Sequence, residues 1–571
     1  MKTRHLLIVI SSAIIIGCNS LNDVPLENMP PEVAFQDSIR VEYFVNELYP
    51  YLYAGVSYNR IGSGGTGGSM FDCVTDLAVY SPVGNCADVN KYTQATLNYA
   101  PGGTPDARWA ECYQAIRKAN VVLKYMGNVK KISQSHYDRL RGEALLHKAL
   151  AHFEVFKRYG GIPIMDDLLD LTGDINIPRS TYEETVNYIV SLCDEAAELL
   201  PVRYPANDYG RLTRGSAYGL KSKILLYAAS PLYNENPLEG SSDLQHYAEP
   251  SKERWNDAAR AALQVINLKT DGGAPAHELY PDCQRYFFTR EGNYESLIMK
   301  QQALSNSVEK ADGPSGYQNC RGNTNATLEL VNMYETLNGL LPEDDPEYDP
   351  QKPYLNRDKR FYAHIIYNGT QLWGRPVETF VGGADYPANA TSKGCVTGYV
   401  MFKHVDPQAT TVSPIVYTYH DWPVLRYAEI LLNYAEAMNE YMGESDADAV
   451  LDEMIYTCVN TVRKRAGLPE VSDLTRGEMR ELIHRERTVE LAFEDSRWYD
   501  LKRWRESETV LNSPVHGVKI IKDGDNFTYD YGPDGNGYEI EQRKFDARMY
   551  YYPIPQTEMN KNTALKQNYL W

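Results

Sequence analysis

Beyond its first sixteen residues this 571-residue chain has no long hydrophobic run, and each of its other shortages also removes a class of protein. A helix needs about 20 consecutive apolar residues to cross a bilayer, so no spanning helix is expected in the body of the chain. Nine cysteines include no C-x-x-C pair, which sets aside zinc-ribbon and thioredoxin chemistry. No G-x-x-x-x-G-K-[ST], H-E-x-x-H or G-x-S-x-G occurs, so the simplest phosphate-loop, zinc-hydrolase and serine-hydrolase readings fall away. Positive charge is also short. Lys and Arg number 57 against 76 Asp and Glu, a formal net charge of −19, which argues against nucleic acid or anionic headgroups as partners. Phenylalanine (13) and tryptophan (7) are few beside 45 tyrosines. A tyrosine ring joins an apolar face to a polar tip and suits half-wet surfaces, although many must simply pack helices.

What is present begins with a leader. Lys2, Arg4 and His5 precede a run from Leu6 to Ile16 broken by Ser11, Ser12 and Ala13. That pattern predicts a signal peptide over residues 1–17. Gly17 directly before Cys18 matches bacterial lipoprotein processing, with Cys18 as the acylated (palmitate-bearing) N-terminus and residues 18–30 as a linker. The alternative is an ordinary cleaved signal with Cys18 an incidental thiol. Each buried acyl CH₂ contributes about 0.8 kcal/mol, so several chains on one cysteine anchor a protein to a membrane without spanning it. Of the other eight cysteines, Cys73 and Cys86 close a short loop that a disulfide could bridge, and spacing alone leaves that open.

Three regions read as helical. Residues 106–158 hold two helices, the second from about Ser135 to Tyr159 with Leu140, Ala144, His147, Ala151 and Val155 along one face. Gly160-Gly161-Ile162-Pro163 ends it. Residues 180–270 hold three: one begun by Ser180 and Glu183 at capping-box spacing, one striped by Ala217, Leu220, Ile224 and Ala228, and one from Trp255 to Ile266. Residues 423–505 follow, with Val424, Ala428, Leu431, Ala435 and Met438 at helical steps. Small residues alternating with large ones suit closely packed helix pairs, without a strict 34-residue repeat. Residues 61–104, 271–419 and 506–552 carry most of the Gly, Pro and Asn, with strand-like pieces such as residues 361–367. No linker divides the chain, so residues 31–571 read as one domain. Its helical scaffold lies mainly in 106–270 and 423–505, and its ligand side mainly in the loop-rich segments.

Eight segments stand out together: residues 109–123 (WAECYQAIRKANVVL), 142–163 (GEALLHKALAHFEVFKRYGGIP), 210–234 (GRLTRGSAYGLKSKILLYAASPLYN), 356–361 (NRDKRF), 422–440 (WPVLRYAEILLNYAEAMNE), 459–469 (VNTVRKRAGLP), 485–504 (RERTVELAFEDSRWYDLKRW) and 552–560 (YPIPQTEMN). In that order they resemble one family, the SusD/RagB nutrient-binding outer-membrane lipoproteins of Bacteroidota. The resemblance implies a mostly α fold of four tetratricopeptide-like helix pairs packed against a loop-rich ligand side with a few short strands. It also implies a non-catalytic role: capturing oligosaccharides, or peptides in a smaller branch, and capping a SusC-like TonB-dependent transporter as a hinged lid. The location implied is the outer membrane, lipid-anchored and facing the exterior.

The residues themselves offer several candidate sites. Gly62-Ser63-Gly64-Gly65-Thr66-Gly67 matches G-x-G-x-x-G but lacks the strand-and-helix setting of a dinucleotide site, and reads as a surface loop. Glu343, Asp344, Asp345, Glu347 and Asp349 form a proline-studded acidic loop without EF-hand spacing; it reads as solvated, with a structural calcium ion as the alternative and no other cofactor expected. Arg485, Glu486, Arg487 and Glu490, with Glu494, Arg497 and Arg503, read as an ion-paired helical joint. A sugar cleft needs ring faces and planar polar groups. The loop segments supply Tyr92 and Tyr99, then Tyr317, Asn319 and Arg321, then Trp373 and Arg375. Each ring alone is more often a packing residue; together they are the predicted ligand arc. A surface glycosidase, needing two carboxyl groups about 5–9.5 Å apart across a cleft, is the enzymatic alternative.

Overall fold

The structure, a computed structural model, describes residues 30–55, 68–169 and 175–571. The predicted leader, Cys18 and the Gly62–Gly67 motif lie outside the described residues.

Among the described residues, ten helices of eight or more residues frame the protein: α1 (Ser38–Asn46), α2 (Trp109–Tyr125), α3 (Gln134–Tyr159), α4 (Tyr182–Leu199), α5 (Arg214–Ala229), α6 (Glu253–Ile266), α7 (Tyr427–Met442), α8 (Glu453–Ala466), α9 (Arg476–Glu490) and α10 (Arg497–Trp504). Their local causes are visible. In α2, Trp109, Cys112, Ile116 and Ala119 share a buried face at steps of three and four. Helix α3 starts where the Ser133 hydroxyl accepts the His136 N–H. It stops at Gly160, whose φ is +80° and where a Cβ would lie 2.5 Å from the Leu244 carbonyl oxygen, so only glycine fits. The cap of α4 falls one residue later than its spacing predicts. Thr181 Oγ1 accepts the Glu184 N–H at 3.1 Å while Glu184 accepts the Thr181 N–H at 2.8 Å, because the Ser180 N–H is already given to the Ile162 carbonyl.

Each helix packs on the next from α2 to α7, and α8 and α9 both pack on α7. The result is a tetratricopeptide-like stack in which α6 and α7 are partners although residues 267–426 separate them. That excursion leaves through strand β2 and returns through β8, introduced here with the other short strands: β1 (Ala78–Tyr80), β2 (Ser296–Lys300), β3 (Thr324–Ala326), β4 (Ile365–Ile366), β5 (Gln371–Leu372), β6 (Arg375–Pro376), β7 (Val400–Met401) and β8 (Trp422–Arg426). They form separate antiparallel pairs, β1–β3, β2–β8, β4–β7 and β5–β6. Two expectations are corrected here. Val424 lies in β8 rather than opening a helix. Residues 359–364 are helical, capped by Asp358 on the Arg360 N–H at 2.7 Å, and only Ile365 and Ile366 of the predicted strand pair with another.

One apolar core continues from Leu52 and Phe71 through the helices to Ile554. Charge is buried beside it. Arg485, Glu486 and Glu490 do not pair with one another, as their helical spacing suggests, but reach across to other elements. Arg485 meets Glu335 at 2.7 Å, Glu486 meets Arg360 and Arg463 at 2.8 Å, and Arg487 meets Glu429 and Asp500 at 2.9 Å. Arg426 gathers Glu295, Glu490 and Glu494 within 2.7 Å, Arg497 meets Asp76 at 2.8 Å, and Arg503 pairs with Glu436. The joint thus ties α9 and α10 to α7, β8 and the loop side. Cys73 and Cys86 are free buried thiols, so the possible disulfide is absent. Cys73 sits in a 3₁₀ turn facing the core, and burial pushes its thiol up.

Candidate ligand-binding site

The β1–β3 ladder pairs Ala78 with Ala326 and Tyr80 with Thr324, and three further segments converge on it. The first is the loop before β3. It closes on itself where the Gly322 N–H donates to the Gly313 carbonyl at 2.9 Å and the Asn323 N–H to Ala311 at 3.0 Å. Tyr317 projects from its middle.

The second segment is the β5–β6 hairpin. Leu372 pairs with Arg375, leaving Trp373 (φ +44°) and Gly374 (φ +90°) as a two-residue turn. Positive φ at both central positions is what a tight hairpin turn demands, but a tryptophan there is an outlier that its surroundings must hold. They do so: the Trp373 and Tyr317 rings meet edge to face at 5.3 Å and 86°, and Trp373 abuts Gly313 so closely that a Cβ there would lie 3.1 Å from the indole. Asn319 also adopts positive φ (+69°), with its amide donating to the Thr411 carbonyl at 3.1 Å.

Beneath the rings lies a clamp. The Arg375 guanidinium stacks 3.7 Å over Tyr317 and donates to both oxygens of fully buried Asp385, at 2.8 and 3.0 Å. Asp385 also accepts the Gly316 and Glu378 N–H groups, each at 2.9 Å. The Tyr317 hydroxyl donates to the Leu372 carbonyl at 2.7 Å, and burial pushes its phenol up to about 12 against the opposing pull of Arg375. The Trp373 indole N–H is buried without a protein acceptor.

The third segment, residues 385–395, brings Lys393. Its ammonium donates to the Tyr80 hydroxyl at 3.3 Å and to the Asn323 side-chain oxygen. Arg321, half-buried one residue from Gly322, has no ion-pair partner among the described residues.

The structure therefore brings Tyr317, Asn319, Arg321, Trp373 and Arg375 into one neighbourhood and separates the other two predicted residues from it. Tyr92 is 1% exposed, edge-on to Phe71 and Trp498 at 5.4 and 5.3 Å, with its hydroxyl accepting the Asp106 N–H. It is a core residue with no free face, which corrects its assignment to the arc. Tyr99 is 47% exposed, but its backbone carbonyl accepts the Gln556 N–H beside the C-terminal segment, and its ring contacts none of the group around Tyr317. Arg375 is committed to Asp385 and acts by holding Tyr317. Sequence reasoning missed Tyr80, Asp385 and Lys393, none of which belongs to a motif.

Other clefts lie away from the rings. One of about 500 Å³ runs between Asn46–Pro50, Asn207–Arg211 and Met299–Gln301. The rings instead stand half-buried on the loop side. Among the described residues no group of three or more His, Cys, Asp or Glu is placed to hold a metal. In the acidic loop, Asp345 is spent on the Thr336 hydroxyl, the Asn338 amide and the Glu347 N–H.

Family comparison agrees with this architecture. Residues 286–571 match the model of the SusD family, and residues 26–226 match one described as "starch-binding associating with outer membrane". The chain belongs to the SusD family. It is 24% identical to SusD-like protein P2 of Formosa agariphila, over 100% of this chain and 99% of that one. Among solved structures, a SusD-like protein from Bacteroides fragilis superposes with a TM-score of 0.77 at 25% identity, covering 96% of this chain and all of the other. A SusD-like carbohydrate-binding protein from the same species superposes at 0.74 with 23% identity, over 94% of this chain and 100% of that one.

Proposed function

We propose that this SusD-family protein is a non-catalytic cell-surface receptor that captures oligosaccharides on the Tyr317–Trp373 rings. The observation that carries this reading is the edge-to-face ring pair, set at a strained hairpin turn and braced by Arg375 on buried Asp385. Strain of this kind persists where the surrounding structure over-determines it and where a site uses it. Ring faces match the C–H faces of pyranoses, and both rings are half-buried rather than enclosed. The carbohydrate-binding neighbour from B. fragilis supports the same ligand class. Within this reading the protein is tethered at the outer membrane through acylated Cys18, faces the exterior, and hands its cargo unchanged to a SusC-like TonB-dependent transporter that it covers as a lid.

The test is calorimetry of the purified protein against a panel of soluble glycans, with a reducing-end assay on the same mixtures. Trp373→Ala is expected to weaken binding at least tenfold, about 1.4 kcal/mol, with the melting temperature little changed and no new reducing ends formed. Undiminished affinity in both Trp373→Ala and Tyr317→Ala, or release of products, would overturn the proposal.

A further inference from the structure

Beside the rings the site carries positive charge that no carboxylate of the described residues meets at ion-pair distance. Arg321 has no carboxylate within ion-pair distance among the described residues, and neither does Lys393. Lys393 is held instead by two neutral oxygens, the Tyr80 hydroxyl and the Asn323 amide. In a chain of net charge −19, with carboxylates in excess, leaving two neighbouring cations without one is conspicuous.

The two cations share a frame with the rings. Gly322 and Asn323, the next residues after Arg321, bond back to Gly313 and Ala311, and Gly313 lies against the Trp373 indole. The same Asn323 accepts from Lys393. Partial burial pulls the Lys393 ammonium down, and the Arg321 charge adds to that, while the charge of buried Asp312 opposes both. Two like charges held together in a half-dry site repel, and an anion placed between them relieves that repulsion. The charged groups of this neighbourhood, the Arg321 guanidinium and the Lys393 ammonium, are both donors. Donor-rich surroundings suit a ligand rich in acceptor oxygens.

We propose that the glycan taken by this site is anionic, bearing uronate carboxylates or sulfate esters, and that Arg321 and Lys393 hold one such group while the adjoining sugar lies on Trp373. The proposal rests on the glycan-receptor reading above and names its ligand class.

Affinity electrophoresis tests it, with gels containing laminarin or dextran as neutral glycans and polygalacturonate or dextran sulfate as carboxylated and sulfated ones. Repulsion by the net charge of −19 disfavours non-specific retention on polyanions, so retention reports a local site. The expected result is retardation by at least one polyanion, weakening as salt rises from 50 to 200 mM. It should fall at least tenfold in Arg321→Gln and in Lys393→Gln and return in Arg321→Lys, and the polygalacturonate and dextran sulfate lanes tell carboxylate from sulfate. Arg321 makes no hydrogen bond to the rest of the described protein, so its loss spares the fold, as circular dichroism would verify. Thermal shift in sodium sulfate against sodium chloride at equal ionic strength supplies a polymer-free arm, with stabilisation expected in the wild type and not in Arg321→Gln. Retention on neutral gels alone, lost in Trp373→Ala and untouched in Arg321→Gln, would overturn the anionic proposal and leave the glycan reading standing. Polyanion retention lost in Arg321→Gln yet unchanged in Trp373→Ala and Tyr317→Ala would remove the rings from the site and overturn both. No retention on any gel and no sulfate-specific stabilisation would also overturn both.

Discussion

Replacing Asp385 with asparagine should loosen the ring platform without touching its exposed face. The Asp385 carboxylate is buried and accepts four hydrogen bonds, two from Arg375 and one each from the Gly316 and Glu378 amides. Asparagine keeps the shape, removes the charge, and turns one acceptor oxygen into a donor facing two of those donors. Removing one partner of a buried ion pair costs about 3–5 kcal/mol. Here the Arg375 side chain is 31% exposed, so its charge can retreat to water and a smaller loss of about 2 kcal/mol is expected. Because Asp385 joins the loop carrying Tyr317 to the hairpin carrying Trp373, that loss should appear as local opening rather than global unfolding. Two kilocalories per mole correspond to a roughly 30-fold change in an equilibrium constant. Hydrogen exchange at the Gly316 and Glu378 amides should therefore accelerate by about that factor in Asp385→Asn, while amides of α3 and α5 stay protected. Unchanged exchange at both positions, with unchanged glycan affinity, would refute the role given to the clamp.

Two further perturbations test the buried charge. Arg426→Met takes one cation from Glu295, Glu490 and Glu494, leaves them Arg465, Arg360 and Lys403 as remaining partners, and should cost about 3 kcal/mol in urea denaturation at pH 7. Burial alone would raise the Glu490 carboxyl, but Arg465, Arg426 and Arg360 reverse this and hold it well below the usual range. Its contribution is present above the ordinary carboxylate pKa and lost as pH falls through the folded value, so the deficit of the variant should narrow as pH falls below the ordinary carboxylate range. The opposite sign holds for Asp72, whose carboxyl is raised by burial against the lowering pull of the Asp495 and Phe493 amides, and which faces the likewise raised Asp495. That pair favours the protonated form, so its contribution is full below the ordinary carboxylate range and lost as pH rises. Asp72→Asn should flatten the decline in stability between pH 4 and neutrality, and an unaltered pH profile would count against a raised Asp72 carboxyl.

The helical frame was legible because it is written locally. Leu140, Ala144, His147, Ala151 and Val155 repeat at helical steps whatever lies opposite them, and Gly160 marks the end of α3 by the one conformation it allows. What eluded sequence reasoning depends on partners remote in the chain. Val424 continues the apolar spacing of α7, yet pairing with β2 makes it strand. Lys359–His364 is rich in aromatic and β-prone neighbours, and the Asp358 cap turns it into helix. Tyr92 and Tyr317 look alike in sequence, each an aromatic among polar residues. One packs edge-on against Phe71 and Trp498 in the core, and the other stands half-buried against Trp373 and Arg375. Asp385 and Lys393 carry no motif because their significance lies in what they reach.

The β2–β8 ladder has a consequence for how such a protein can change. The chain departs through Ser296–Lys300 and comes home through Trp422–Arg426, two adjacent strands whose registration is fixed by each other. Loop length enters closure entropy only logarithmically, so a doubling costs about 0.6 kcal/mol. Insertions in the exposed loops between those two strands leave the doorway in place, provided that Glu335, Arg360 and Lys403 keep their buried ion pairs with the stack. Lineages descended from one ancestor could thus vary those loops while keeping a common chassis.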